Sequence, residues 1–268
     1  MGPIERVGNK LLWLDEVDST NTYLKEHMDD PQFPHGTAVY TDCQTAGKGR
    51  RGNHWGGSNP NIMNRPGASL ALSFLLRKTK LEDMGVLPLL MAIAACRGLK
   101  GVCPNLEFGI KWPNDIICQG KKLCGILCES RISADGSSCT VCGIGVNLTQ
   151  TQQELDNTNL PYAISLYIAN QGKDMNRISP EPIASAILDA FENVYQIYCQ
   201  NGFTALLLEY KQNCVTIGKK VQVIWNQEAK EGEALEISPS GELICKIDGQ
   251  LHTIRSGEAS VRGLYGYV

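Results

Sequence analysis

The stretch Gln44-Thr45-Ala46-Gly47-Lys48-Gly49-Arg50-Arg51-Gly52-Asn53-His54-Trp55 sets three glycines among three cations over six positions, with a tryptophan at the exit. Glycine lets backbone N–H groups come close to a ligand, and the cations favour a phosphate or a carboxylate. A Walker-type phosphate loop is excluded. It needs Gly-x4-Gly-Lys-Ser/Thr, whereas Asp42 stands five residues before Gly47 and Gly49 follows Lys48. A basic surface loop has the same composition, so this segment alone leaves anion binding and simple solvation both open.

Other chemistry-bearing residues lie further along. Lys111-Trp112-Pro113-Asn114-Asp115 precedes Lys121-Lys122-Leu123-Cys124-Gly125-Ile126-Leu127-Cys128-Glu129, and then comes Gly143-Ile144-Gly145-Val146-Asn147-Leu148. Near the start stands Asp18-Ser19-Thr20-Asn21, which also reads as the capped start of a helix. In this order and approximate spacing the four segments resemble the biotin–protein ligases, the family of bacterial biotin ligase and eukaryotic holocarboxylase synthetase. The resemblance runs from about Trp13 to the C-terminus and covers the catalytic and C-terminal domains. The first catalytic motif begins at Asp18, so the N-terminal DNA-binding domain of some relatives is expected to be lacking.

The resemblance implies ATP-dependent activation of biotin to biotinyl-5′-AMP, then transfer to a lysine of a biotin carboxyl carrier domain. Two anions must meet, so cations and Mg²⁺ have to neutralise the phosphates, and a loop has to shield the adenylate from water. By matching position, Ser19, Thr20 and Asn21 belong to the ureido site and Gln44 to the biotin pocket. Gly47, Lys48, Gly49, Arg50, Arg51 and Gly52 match the loop that closes on the intermediate, Lys48 replacing an arginine of the usual pattern. Arg50 matches the arginine that retains the adenylate, and Trp55 an aromatic near the adenine. Lys122 matches the lysine at the biotin carboxylate and α-phosphate, with Gly125 beside it. Lys111, Asn114 and Asn147 are assigned to the nucleotide side, Asn147 near adenine or metal. Asp115 is read either as a base or orienting group for the attacking amine or as the cap of the turn after Pro113. No residue is assigned to metal; Mg²⁺ would be held mainly through phosphates. Alternatives are a lipoate or octanoate ligase of the same superfamily, a non-catalytic biotin-binding module, and a DNA-binding regulator.

Composition narrows the setting. The 268 residues hold 43% hydrophobic and 20% charged side chains, enough for one large domain and a small one. A net charge of −3 argues against general nucleic-acid binding, so the cations at Lys48, Arg50 and Arg51 read as a local site. The richest apolar stretch, 87–95, is too short to span a bilayer, and residues 1–6 lack a signal-peptide core. These features predict a cytoplasmic protein without membrane partners; the family resemblance adds a monomer or weak homodimer. Eleven cysteines without a secretion signal read as reduced, buried apolar residues. Cys139-Thr140-Val141-Cys142 matches Cys-x-x-Cys, but in a strand residues three apart point to opposite faces.

These side chains need elements to position them. The patterns predict a helix after Asn21 through His27, strands over 36–41 and 70–76, and a helix over 82–99. Leu106, Phe108, Ile110 and Trp112 alternate along a strand that Pro113 ends. A hairpin-like pair follows over 116–118 and 122–130. In 140–148, Cys142, Ile144, Val146 and Leu148 form a core face, while Gly143, Gly145 and Asn147 face the other way. Two missing side chains there leave room either for a ligand or for a closely packed helix. A long helix follows over 183–198 and a short one over 205–210. After Cys214 short strands at 220–225, 234–237, 242–247 and 250–254 alternate with turns. The expected fold is a mixed α/β (α+β) catalytic domain, 1–214, on a mixed, largely antiparallel sheet flanked by helices. A small C-terminal SH3-like β-barrel, 215–268, completes it. The Gly/Pro/Asn-rich stretch 56–67 lengthens the connection after Trp55 and reads as an irregular loop.

Overall fold

Nine consecutive residues of β3, Ser69–Arg77, carry the plan of the fold, because all but the last are buried. A strand buried on both faces must lie inside a sheet covered on each side. In the computed structural model, which describes residues 6–55, 65–132, 138–158, 160–173, 178–225, 228–258 and 260–263, β3 is the third of seven strands. The sheet runs β1 (Leu11–Trp13), β2 (Ala38–Thr41), β3, β7 (Ser138–Asn147), β6 (Lys121–Ile132), β5 (Asp115–Cys118), β4 (Phe108–Lys111). Only β1 and β2 pair in parallel; the other neighbours are antiparallel.

One face of this sheet carries Leu70, Leu72, Phe74, Cys142, Ile144 and Val146 into the main core. Helices α2 (Leu87–Val102) and α5 (Pro180–Asn201) cover it, their apolar rows meeting the strand side chains. Pro88 stands in the first turn of α2, where its missing N–H costs nothing. That placement corrects the expected helix over 82–99, since residues Leu81–Gly85 form a separate 3₁₀ turn and α2 extends to Val102.

The opposite face is covered only at one end. There α1 (Thr20–Glu26) packs Leu24 with Met28, Phe33, Val39, Leu75 and Val141 in a second, smaller cluster. The rest of that face forms the floor of a cavity roofed by the segment that carries Trp55. Cys142 points into the main core while Cys139 packs against the smaller cluster, so the Cys-x-x-Cys pair does straddle the sheet. All eleven cysteines are free, and burial pushes the Cys124 and Cys142 thiols well above the ordinary range.

Two short helices were not visible in the sequence patterns. α3 (Gln152–Asn157) starts on a reciprocal Thr151–Glu154 capping box, and α4 (Leu166–Ala169) on Ser165. α6 (Thr204–Asn213) leads into a second sheet, antiparallel throughout, of order β11 (Gln250–Ile254), β10 (Leu243–Ile247), β9 (Glu228–Ile237), β8 (Lys220–Trp225), β12 (Ser260–Gly263). β9 is longer than the expected 234–237 because its first half, Glu228 to Gly232, is solvent-facing and carries no apolar alternation. The two sheets share one apolar cluster, in which Trp112 and Leu89 join Val223, Ile237 and Leu243.

Candidate active site

Two segments distant in sequence lie side by side at the cavity face of the sheet. Val17 and Gln44 pair in parallel, Thr45 N donates to Val17 O, and Ala46 N donates to Asp18 O. Ser19 therefore caps α1 beside the entrance to the glycine–cation segment. Gln44 Oε1 accepts from the Thr20 backbone N–H at 2.9 Å and lies 3.2 Å from Thr20 Oγ1. The glycine–cation segment closes on itself. Lys48 pairs with His54, Gly49 N donates to Asn53 O, and Trp55 N donates to Gly47 O, with a 3₁₀ turn over Arg50–Gly52 at the tip.

That hairpin folds over the turn after β4. Arg50 Nη1 donates to Asn114 Oδ1 at 2.8 Å, while Asn114 Nδ2 donates to Ile126 O at 2.7 Å. Asn114 thus ties the arginine to β6. Lys122 Nζ lies 2.7 Å from Asp115 Oδ1, with both side chains mostly buried. The backbone of Lys122 is fixed by bonds to Tyr162 O and from Ile164 N. Lys111 is 8% exposed; burial pushes its ammonium down to about 8, Asp115 opposing the shift and Lys122 and Arg262 adding to it.

The floor consists of two cross-strand rows, Ser73–Gly143–Leu127 and Ala71–Gly145–Gly125. The space that its glycines leave is taken by the protein's own side chains. A Cβ on Gly145 would run into the Trp55 indole, and one on Gly125 would lie 2.9 Å from Trp55 Cζ3. A Cβ on Gly143 would run into Asn21 Oδ1. So α1 claims Gly143 through Asn21, and the hairpin claims Gly145 through Trp55. The Trp55 indole N–H is buried without a protein partner, and Lys122 Nζ stands 5.9 Å from the ring centroid.

Together these groups line one cavity of about 570 Å³, within the usual size of small-molecule sites. Of the residues singled out in the sequence, Ser19, Thr20, Asn21, Gln44, Lys48, Gly49, Arg50, Trp55, Lys111, Asn114, Asp115, Lys122 and Gly125 line it. Gly47, Gly52 and Asn147 do not. Asn147 is buried on the same face, its Nδ2 on Ile164 O and its Oδ1 without a protein partner. The Arg51 side chain and residues 56–64 of the long connection lie outside the described residues.

A family model for the biotin/lipoate A/B protein ligases matches residues 13–147, half of the chain and all of the seven-stranded sheet but part of β1. The chain belongs to the biotin/lipoate protein ligase family. The bifunctional ligase/repressor BirA of Bacillus spizizenii is 30% identical over 255 residues, spanning 95% of this chain and 74% of that protein. The biotin–[acetyl-CoA-carboxylase] ligase of Mycobacterium tuberculosis is 28% identical, spanning 91% and 85%. The structure of the biotin protein ligase from Aquifex aeolicus in complex with biotin and ATP has a TM-score of 0.77 at 26% identity, covering 95% of this chain and 99% of that one.

For this ligase-family chain, Ser73 and Arg262 are among the lining residues that sequence reasoning missed. Ser73 is the one hydroxyl in an otherwise apolar stretch, 70–76, directly opposite Gly143; that break in the pattern was its signal. Arg262, on β12, had no local signal, because only docking of the second sheet brings it to the cavity.

Proposed function

We propose that this protein is a biotin–protein ligase, joining biotin to a carrier-domain lysine at the expense of ATP. The observation that supports this most is a single cavity with two unlike linings. Neutral hydrogen-bonding groups, Ser19, Thr20 and Gln44, suit the ureido ring. Four cations, Arg50, Lys111, Lys122 and Arg262, suit a carboxylate and a triphosphate. The length of the match to named biotin ligases favours this over the lipoate and octanoate reading. The chemistry has two displacements. A carboxylate oxygen of biotin bonds to the α-phosphorus as the bond to pyrophosphate breaks, giving biotinyl-5′-AMP. The neutral ε-amine of the acceptor lysine then attacks the acyl carbon, AMP leaves, and the amine loses a proton.

In our reading Lys122 bridges the biotin carboxylate and the α-phosphate, where charge is redistributed in the first step. Asp115 orients it; the 2.7 Å ion pair favours that role over proton abstraction. Arg50 holds the adenylate from the hairpin, and Trp55 covers it. Lys111, Asn114 and Arg262 face the nucleotide, and Mg²⁺ arrives with the phosphates of ATP. Among the described residues no group of three or more His, Cys, Asp and Glu side chains could hold a metal ion. We further read 1–214 as the catalytic unit and 215–268 as an SH3-like module, acting as a monomer or weak homodimer on a biotin carboxyl carrier domain. Cytoplasmic location fits this chemistry, and among the described residues no helix is long and apolar enough to cross a membrane.

Biotin-dependent exchange of radiolabelled pyrophosphate into ATP is the direct test. Exchange with biotin and not with lipoate or octanoate is the expected result; the reverse order would overturn the assignment.

The lowered Lys111 adds a pH dependence. Its protonated form attracts the phosphates, and in the free protein that form is lost as pH rises through about 8. The KM for ATP is therefore expected to be flat below about pH 7 and to climb above about pH 8, whereas the KM for biotin stays level. In Lys111→Arg the climb is expected to vanish, because a guanidinium stays charged throughout this range. A climb that persists in that variant would assign the titration to another group.

A further inference from the structure

Ser73 sits fully buried on β3, with Oγ 2.7 Å from Thr20 Oγ1 and 2.6 Å from Asn21 Oδ1. The direction of each bond in this chain can be worked out. Asn21 Nδ2 lies 3.2 Å from Leu127 O and 2.9 Å from Glu129 Oε2, and both atoms only accept. The amide is therefore oriented with its N–H₂ toward β6 and its Oδ1 toward Ser73. Lys25 Nζ, 2.7 Å from Glu129 Oε1, keeps that carboxylate in place. Although burial raises the Glu129 carboxyl, its bonds from Lys25 and Asn21 outweigh this and hold it below the ordinary range.

Asn21 Oδ1 has no hydrogen, so the single hydrogen of Ser73 must serve that bond. The contact between Ser73 and Thr20 is then carried by the Thr20 hydroxyl hydrogen. Its other neighbour, Gln44 Oε1 at 3.2 Å, also only accepts. The one hydrogen on Thr20 Oγ1 is thus spent inside the protein, and toward the cavity this atom offers lone pairs alone.

We propose that Ser73 is a positioning residue which, by taking the Thr20 hydroxyl hydrogen, makes Thr20 an obligate acceptor and so selects a ligand presenting an N–H at that point. This rests on the biotin reading and deepens it. It assigns the discrimination between a ring N–H and a ring oxygen to a residue that acts through Thr20.

The test compares biotin with its two analogues in which one or the other ureido N–H is replaced by a ring oxygen, binding being measured by calorimetry. The unmodified protein is expected to prefer biotin over one of these analogues by at least about 100-fold, since a lone pair would face a lone pair. In Ser73→Ala the Thr20 hydroxyl keeps only the longer contact to Gln44 and can turn to donate. Biotin binding is expected to weaken about tenfold, while the preference over that analogue falls to within about tenfold. Ser73→Cys, which keeps the volume with a weak donor, is expected to lie between the two and serves if the alanine variant melts early. The KM for ATP should change less than about threefold in both. Equal losses for biotin and the analogue, or an unchanged preference, would overturn the inference while leaving the biotin assignment intact. Failure of the unmodified protein to bind biotin would overturn both.

Discussion

Replacing Lys122 by alanine is expected to cut the rate of biotin-dependent pyrophosphate exchange by roughly 10²–10³-fold, equivalent to about 2.7–4 kcal/mol of lost transition-state stabilisation. The ammonium is held by Asp115 at 2.7 Å, its backbone is pinned by the 162–164 segment, and it faces the cavity between two anionic reactants. Water admitted in its place cannot supply an oriented charge. Much of the lost rate should be in kcat, because the contact is strongest as the α-phosphorus changes partners. The same substitution leaves Asp115 without its cation in a mostly buried position, so some loss of thermal stability should accompany it. Asp115→Asn in the Lys122→Ala background is expected to restore stability without restoring exchange. Exchange within about threefold of the unmodified protein would place Lys122 outside the reacting centre.

Deleting residues 215–268 is expected to abolish measurable ligase turnover and to lower the melting temperature of the remainder. The reason lies at the Trp112 turn. Trp112, 2% exposed, donates its backbone N–H to Thr216 Oγ1 at 2.9 Å and its indole N–H to Gly241 O at 3.0 Å. Val215 N donates to Ile110 O, so β4 loses an edge partner as well. Each buried donor left unpaired costs about 1–3 kcal/mol, and the indole would be bared to water. The turn carrying Lys111, Asn114 and Asp115 would lose its outer support. The deletion also removes Arg262, so Arg262→Ala in the full chain separates chemistry from stability. That variant is expected to raise the KM for ATP with little change in melting temperature, because Arg262 is exposed and packs little. A truncated protein that melts normally and turns over would show the second sheet to be a bystander.

Local pattern made several elements legible. The apolar run of β3, the period-two rows of β4 and β7 and the helical spacing of α2 and α5 follow from which residues must leave water, and that depends on nearest neighbours along the chain. Where a stretch lacks an apolar signature, as in the first half of β9 or the two-turn α3, pairing or a cap forms the element and the pattern is silent. The room predicted beside Gly143 and Gly145 exists, and a closely packed helix, one of the two expected occupants, takes only the part at Gly143. Trp55 takes the part at Gly145, because α1 and the glycine–cation hairpin both fold onto the floor.

By itself, then, the sequence determined the chemistry available: an alternation of glycine and cation, a lysine after a turn, a hydroxyl pair at a helix start, each a matter of residue type and short spacing. Only the tertiary structure decided which of those groups meet. Arg50 finds Asn114, Lys122 finds Asp115, and Ser73 finds Thr20 across sequence separations of 64, 7 and 53 residues. A hydrogen bond needs its atoms within about 3 Å, and composition carries no information at that scale. Sheet register and the docking of a second sheet supply it, which is why Arg262 and the direction of the Ser73 bond could be read only from the folded chain.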